Sequence, residues 1–439
     1  MEATTRRNPV GAVIRAAGRQ PGWASALGLA LLLAGAWGWW ATQLWGLPDI
    51  GDPFDVAAVE AEPMPAEGRN AFIPYSEAAA AHERTRKSHR TRHPAAPPFA
   101  AVRAPQEWAK ADQNWRDLVV DDREALDLLR VGSERPEARN LYPQGKGFGT
   151  LLNVNQSLAQ LSTVAALEGS RLESEGDLAG AWGWYRAILK ASRHGGRHGF
   201  LVERGIGAGM HWTASEALTR WASDPRVDAP LLRRALDEVI AIDGGTVPLS
   251  EVFKMEYLIL RNSMNDPDLI DDLLLDRQKD ERADWCDDLP VSRGAKQPIQ
   301  AARLALADDR ERSLRVARLM LANRLPEVDK PPARRAALAH REPPIYRPGP
   351  DAPASLNPLT PEQLASWLES SILARRIDEF LAKFSRPIDR ERARQARLVV
   401  HLATELYRRE HGEGPPSPEA LVGPYLKALP EWFGPDQAR

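Results

Sequence analysis

One cysteine, Cys286, stands in a chain of 439 residues. No disulfide can close within it, so stability in any compartment rests on buried apolar surface and internal polar pairing, and Cys286 itself is expected to be buried. Neither sign of charge is in excess: 58 Lys and Arg meet 60 Asp and Glu, a net of −2. That balance excludes the basic footprint of a nucleic-acid-binding protein, and no nucleic acid is expected as a partner. Strand formers are sparse, whereas Ala, Leu, Arg and Glu dominate. A sandwich or barrel is excluded on that ground, and an all-α protein is expected. Nucleophile and metal signatures are also missing: there is no Gly-x-Ser-x-Gly, no His-Glu-x-x-His and no Asp-x-Asp-x-Asp-Gly loop. No cofactor is implied.

Long apolar runs are scarce, and a single one sets the expected topology. No charged side chain stands between Arg19 and Asp49. As a helix, residues 23–47 rise roughly 35 Å, enough to cross a ~30 Å hydrocarbon layer with some tilt. Trp23 at one end, and Trp37, Trp39, Trp40 and Trp45 at the other, suit the two membrane interfaces. Arg6, Arg7, Arg15 and Arg19 precede the run, and no basic residue follows it before Arg69. Lys and Arg orient a span, so residues 1–22 are expected in the cytoplasm and the body outside it. The lipid bilayer is then a partner through residues 23–47. A signal peptide is the alternative: Ala34-Gly35-Ala36 is a small-x-small cleavage site, and cutting after Ala36 exports the body free.

Residues 48–105 read as a Pro-bearing tether with one short basic helix. Its run 82–93 holds Arg84, Arg86, Lys87, Arg90 and Arg92 among His82, His89 and His93. A solvated helix end is the plain reading; contact with anionic lipid, or a metal on the histidines, are the functional ones. Residues 106–325 are expected to form a helical domain. Trp108, Trp115, Leu118, Val119, Leu126 and Leu129 fall on one helical stripe. The loop Gly145-Lys146-Gly147-Phe148-Gly149 lacks the ending of a phosphate cradle and reads as a connector. Leu158, Leu161, Ala165 and Leu172 make one face before Gly176-Asp177, and Leu178, Ala181, Trp182, Tyr185, Ile188 and Leu189 make another after it. Residues 252–260 are apolar on more than one side, as in a central helix. The acidic stretch 266–288 reads as a solvated face. Residues 326–358 are dense in proline and predict an extended linker. A small C-terminal helical unit, 359–439, follows, with helices starting at Thr360-Pro361-Glu362 and at Pro387 and a short last one over 420–429.

The loop that closes the central hairpin is the candidate contact site. Arg193, His194, Arg197 and His198 cluster there, and guanidiniums offer paired donors to an anion or to an acidic partner surface. Gly195 and Gly196 between the histidines argue against a helical metal pair. A basic helix C-terminus that complements the dipole is the ordinary explanation. Gly205, Gly207 and Gly209 lack the strand of a dinucleotide loop and are expected to permit close helix packing.

Three resemblances add to this. Gly176-Asp177-Leu178-x-x-Ala181-x-x-x-Tyr185, with Gly169 and Leu172 upstream, resembles the turn and second helix of a tetratricopeptide hairpin. Leu406-Tyr407-Arg408-x-Glu410-His411-Gly412, then Pro416, Leu421-Val422, Tyr425-Leu426 and Leu429-Pro430, resembles a helix, turn and short helix of major pseudopilins. The basic tail, the apolar run, Asn70-Ala71-Phe72, the hairpin, Trp221-Ala222-Ser223-Asp224-Pro225-Arg226-Val227 and the Tyr407–Pro430 ending together resemble a family of uncharacterised planctomycete-type single-pass membrane proteins. That likeness implies an architecture, an irregular solenoid-like domain of helical hairpins behind one anchor, and no activity.

Two functions are carried forward. The first is a membrane-anchored extracytoplasmic scaffold of the cell envelope that binds an envelope protein through helix faces of residues 106–325. The second is an envelope hydrolase using an unmarked carboxylate, Glu173 or Glu203, in a cleft that gathers Glu203, His211 and Arg197.

Overall fold

A computed structural model describes residues 25–32, 34–35, 37–38, 47, 49–93, 107–142, 153–196, 198–264, 307–335 and 372–434. Trp23, Trp39, Trp40, Trp45, Arg197, Cys286, the loop 145–149, the acidic stretch 266–288 and most of the proline-dense linker lie outside the described residues.

The chain is all-α. Its helices are α1 (Val56–Glu60), α2 (Phe72–Arg92), α3 (Gln113–Asp121), α4 (Arg123–Ser133), α5 (Asn153–Glu175), α6 (Leu178–His194), α7 (Leu201–Ser223), α8 (Ala229–Gly244), α9 (Leu249–Ser263), α10 (Ala307–Arg324) and α11 (Ile372–His411). Among the described residues there is no strand, only isolated bridges joining Asn70 to Glu137 and Val422 to Leu426. No helix among them is long and apolar enough to cross a membrane. Residues 25–32 are helical, and Leu27, Leu29, Leu31 and Leu32 are exposed there, by 45% to 74%.

Local chemistry explains where the helices start and stop. Asp112, Asp177 and Asp228 accept the backbone N–H groups of Trp115, Gly180 and Leu231 at 3.0, 2.8 and 2.9 Å. Each carboxylate satisfies an orphan donor and sits at the positive end of the helix dipole. Gly176 ends α5 with φ +89°, a conformation that L side chains rarely adopt, so the hairpin turns at the expected place. Trp115, Leu118, Val119, Leu126 and Leu129 are all buried, but on two helices that meet at Asp122, not on one.

The C-terminal region differs from its expected pattern. Helix α11 runs through Pro387 instead of starting there. One missing N–H is tolerated because packing holds both flanks: Leu381 and Ile388 are buried in one core, Leu398, Leu402 and Leu406 in another. The last helix shrinks to a 3-10 turn, Pro418–Leu421, since Gly423 has φ +99° and Pro424 follows it.

Two apolar cores result. The first gathers α2 to α8 with the second half of α11, and Leu421, Tyr425 and Leu426 close it. Within it α5, α6 and α7 pack on one another in sequence, and α11 lies along α7 and α8. The second collects Val56, Leu201, Leu249, Val252, Phe253, Met255, Tyr257, Leu258, Met320 and Leu321 with Leu381 and Ile388. Helix α9 is therefore buried on several sides, as its pattern predicts. The segment after the apolar run is bound to this second core by charge. Arg318 meets Asp49 at 3.1 Å, Tyr257 donates to Asp52, and Arg261 donates to Glu60.

Candidate functional site

The last turn of α6 and the loop after it touch α2, α7 and α11, and their side chains part in three directions. Arg193 turns inward. Its Nη1 donates to Glu391 Oε1 at 2.8 Å and to Thr246 Oγ1 at 3.0 Å, and its Nη2 lies 3.4 Å from Asp243. Arg204 of α7 reaches the other oxygen of Glu391 at 2.5 Å. His211 Nε2 lies 3.3 Å from Asp243, and Gln395 donates to Glu391 at 3.1 Å. Two guanidiniums and two carboxylates thus tie α6, α7, α8 and α11 together with no charge left over.

Burial sets the acid–base state of this cluster. Glu391 and His211 are 0% exposed and Arg204 2%. Burial alone would raise the Glu391 carboxyl, but Arg204 and Arg193 outweigh it and hold the group at about 2. Burial and then Arg193 push His211 below its ordinary value, so its ring is neutral at neutral pH. Burial also lowers Arg204, which nevertheless stays a cation against Glu391.

His194 turns the other way. Its Nδ1 lies 2.8 Å from the Tyr75 hydroxyl on α2. Burial, and then the charge of Glu134, keep Tyr75 a phenol, and the tautomer of His194 sets which of the two groups donates. His198 lies 3.2 Å from Glu62 and 3.1 Å from Arg139, whose guanidinium also holds the Glu62 carbonyl at 2.8 Å. The described members of the predicted contact loop are thus engaged by a carboxylate pair, a phenol and an Arg–Glu clamp. They are not gathered round one anion.

A cleft opens between Tyr75, Arg139, Asn155, His194, Gly195 and Glu203. Glu203 accepts from Asn155 Nδ2 at 2.8 Å and from the Phe200 N–H at 3.0 Å. The interior admits about 30 Å³ of water, room for roughly two molecules. His211 does not join Glu203 here; it lies with Asp243. Glu173, the other candidate carboxylate, accepts the Tyr185 hydroxyl at 2.5 Å and Arg220 at 3.3 Å. Gly207, within the trio expected to permit close packing, lies against the end of α6: a Cβ there would stand 2.6 Å from the Ser192 carbonyl.

The basic run keeps Arg84, Lys87, Arg90 and Arg92 on the surface, as a solvated helix end does, but turns two of its histidines inward. His82 and His89 are 2% and 1% exposed. His82 pairs with Asp122 at 2.8 Å and His89 with Asp121 at 3.3 Å, while His93 meets Asp117 at 3.5 Å. Two histidines of α2 and His93, just past its end, thus dock on three aspartates in and just after α3. Among the described residues no three His, Cys, Asp or Glu gather as a metal site needs.

The sequence singled out Arg193 but not Glu391, Arg204 or Asp243. One signal was present: Glu391 is an acid on the apolar side of α11, in line with Ile388, Gln395 and Leu398. Comparison with protein families, with curated proteins and with solved structures finds no match to this chain. Fold and site together therefore define an all-helical protein whose described charged residues are largely spent on holding helices to one another.

Proposed function

We propose that the chain is a membrane-anchored helical scaffold of the cell envelope, with residues 1–22 cytoplasmic, residues 23–47 in the bilayer and the body outside. The observation that carries the anchor is the row of exposed leucines on residues 25–32, a helical surface that the body does not cover. The scaffold reading is supported by the fate of the candidate carboxylates. Glu173 and Glu203 are each held by two or more donors from neighbouring positions, which is how a structural carboxylate is treated. An envelope protein docking on the helix faces is the expected partner.

Alkaline washing of membranes carrying the full chain tests the anchor. The chain is expected to stay in the pellet; its release into the supernatant overturns the span. A mature N-terminus at Trp37 would replace the anchor by a cleaved signal. Affinity purification from solubilised membranes is expected to bring down a stoichiometric envelope protein. A chain that purifies alone overturns the scaffold.

A further inference from the structure

Helix α11 carries a surface row that neither the cores nor the cleft uses. Lys383, Arg386, Arg390, Arg394 and Arg397 follow one another at intervals of three or four, which sets them along one side of the helix. Leu381, Ile388, Glu391, Gln395, Leu398 and Leu402 are buried on the opposite side. The row extends about 21 Å along the helix. Lys383, Arg386, Arg390 and Arg397 are exposed, and Arg394 is half-buried.

The first three of these charges are not neutralised as those of the interior are. Among the described residues no carboxylate pairs with Lys383, Arg386 or Arg390. Burial, and then the charges of Arg397 and Arg390, pull Arg394 below its ordinary range against the opposing pull of Glu216 and Glu391. Like charges one turn apart destabilise a helix. In a molecule that pairs its other arginines so thoroughly, such a row marks a place where positive potential is wanted. Trp212 of α7 lies beside it, 47% exposed, with the Arg394 guanidinium 5.0 Å from its ring centre. Cations flanked by an exposed indole are the combination that meets phospholipid headgroups.

We infer that this face of α11 lies on the headgroups of an anionic bilayer. The inference rests on the anchored reading, which keeps the body within reach of a membrane. Placement agrees with it. Leu381 and Ile388, at the start of the row, share the second core with Phe54 and Val56, the first packed residues after the apolar run. The row therefore begins on the part of the body that residues 23–47 lead into. Membrane contact, which the sequence offered to the run 82–93, belongs instead to α11, because Arg84, Arg86, Lys87 and Arg92 of that run are paired with Glu124, Glu83 and Asp121.

The test uses the full chain reconstituted into phosphatidylcholine vesicles with and without phosphatidylglycerol. A fluorophore on Ala382→Cys, with Cys286→Ser, reports energy transfer to headgroup-labelled lipid. Transfer is expected to rise with phosphatidylglycerol and to fall when salt shortens the Debye length from ~10 Å. In K383Q/R386Q/R390Q the response is expected to vanish with the circular dichroism unchanged, each charge having contributed roughly fivefold to surface attraction. Equal transfer in the two vesicle types overturns the inference. An alkaline wash of the same vesicles scores the anchor separately: released chain that rebinds phosphatidylglycerol vesicles at low salt keeps the basic face and removes the span. Binding of heparin that needs the three residues, without any lipid response, assigns the row to a soluble polyanion and also overturns the bilayer contact.

Discussion

Glu391 lies out of contact with water between two guanidiniums, and its titration follows from that position. A carboxyl held at about 2, below its usual 4.5, stabilises the fold at any pH above 4.5. That contribution drains away as the pH falls toward 2, where the folded protein takes the proton too. His211 works in the same direction from a higher pH. Its folded value lies below 6.5, so under pH 6.5 the unfolded chain binds the proton first and gains. The urea midpoint is therefore expected to drop steadily from pH 7 to pH 3. In Glu391→Gln the part of that drop below pH 4.5 should be lost, while stability at pH 7 falls by about 3–5 kcal/mol because two buried cations lose their partner. A wild-type midpoint that does not change over this range would contradict the account. Sequence reading reached one of the four charged groups of this cluster. Arg193 stood out as a cation at a helix end, but its partner Glu391 lies 198 positions further on, a distance that no local pattern spans.

Helices were more legible than the sites between them. The turn at Gly176-Asp177 is local chemistry and was read from the sequence, whereas the equally local caps Asp112 and Asp228 were not singled out, and period alone gave the buried sides of α5, α6 and α9. What period does not show is how near two helices come. Gly169 on α5 and Tyr185 on α6 set that approach: a Cβ on Gly169 would stand 2.5 Å from the tyrosine ring. The ring has little freedom to withdraw, because its hydroxyl is bound to Glu173 and Arg220. Gly169→Ala is therefore expected to destabilise by about 1–3 kcal/mol through overpacking. Gly183, on the same hairpin, has nothing within 4 Å of a built Cβ. There the change to Ala should stabilise by about 0.5–1 kcal/mol through helix propensity. Urea melts of the two variants give opposite signs if contact decides, and the same sign if propensity alone decides. Pro387 shows the converse limit of local reading. A proline predicts a boundary, and two cores gripping the flanks of α11 override it.

For the whole molecule, α11 is the element that joins both cores most fully, with α7 entering the second only through Leu201. Leu398, Leu402 and Leu406 pack with α7 and α8, whereas Leu381 and Ile388 pack with α9 and α10. A chain cut at a protease site engineered between residues 340 and 350 is expected to stay associated through native size-exclusion chromatography and to separate only in denaturant. Separation under native conditions would show that α11 contributes little to either core. The proposed envelope partner and lipid face of α11 could not be read from sequence for one reason. Each concerns a surface outside the molecule, and periodicity reports only what a chain buries within itself.

The ionic clamp on the segment after the apolar run has a mechanical meaning. Leu47 is buried, its carbonyl is held by Arg315 at 3.3 Å, and the carboxylates of Asp49, Asp52 and Glu60 are pinned to α9 and α10 within the next few positions. With residues 23–47 fixed in a bilayer, almost no slack would remain between membrane and body. A pull or twist on the body would reach the bilayer through Arg318, Arg315 and Arg261 before it stretched any loop. The joint would act as a bracket and not as a leash, holding the body at one height and one heading over the lipid surface.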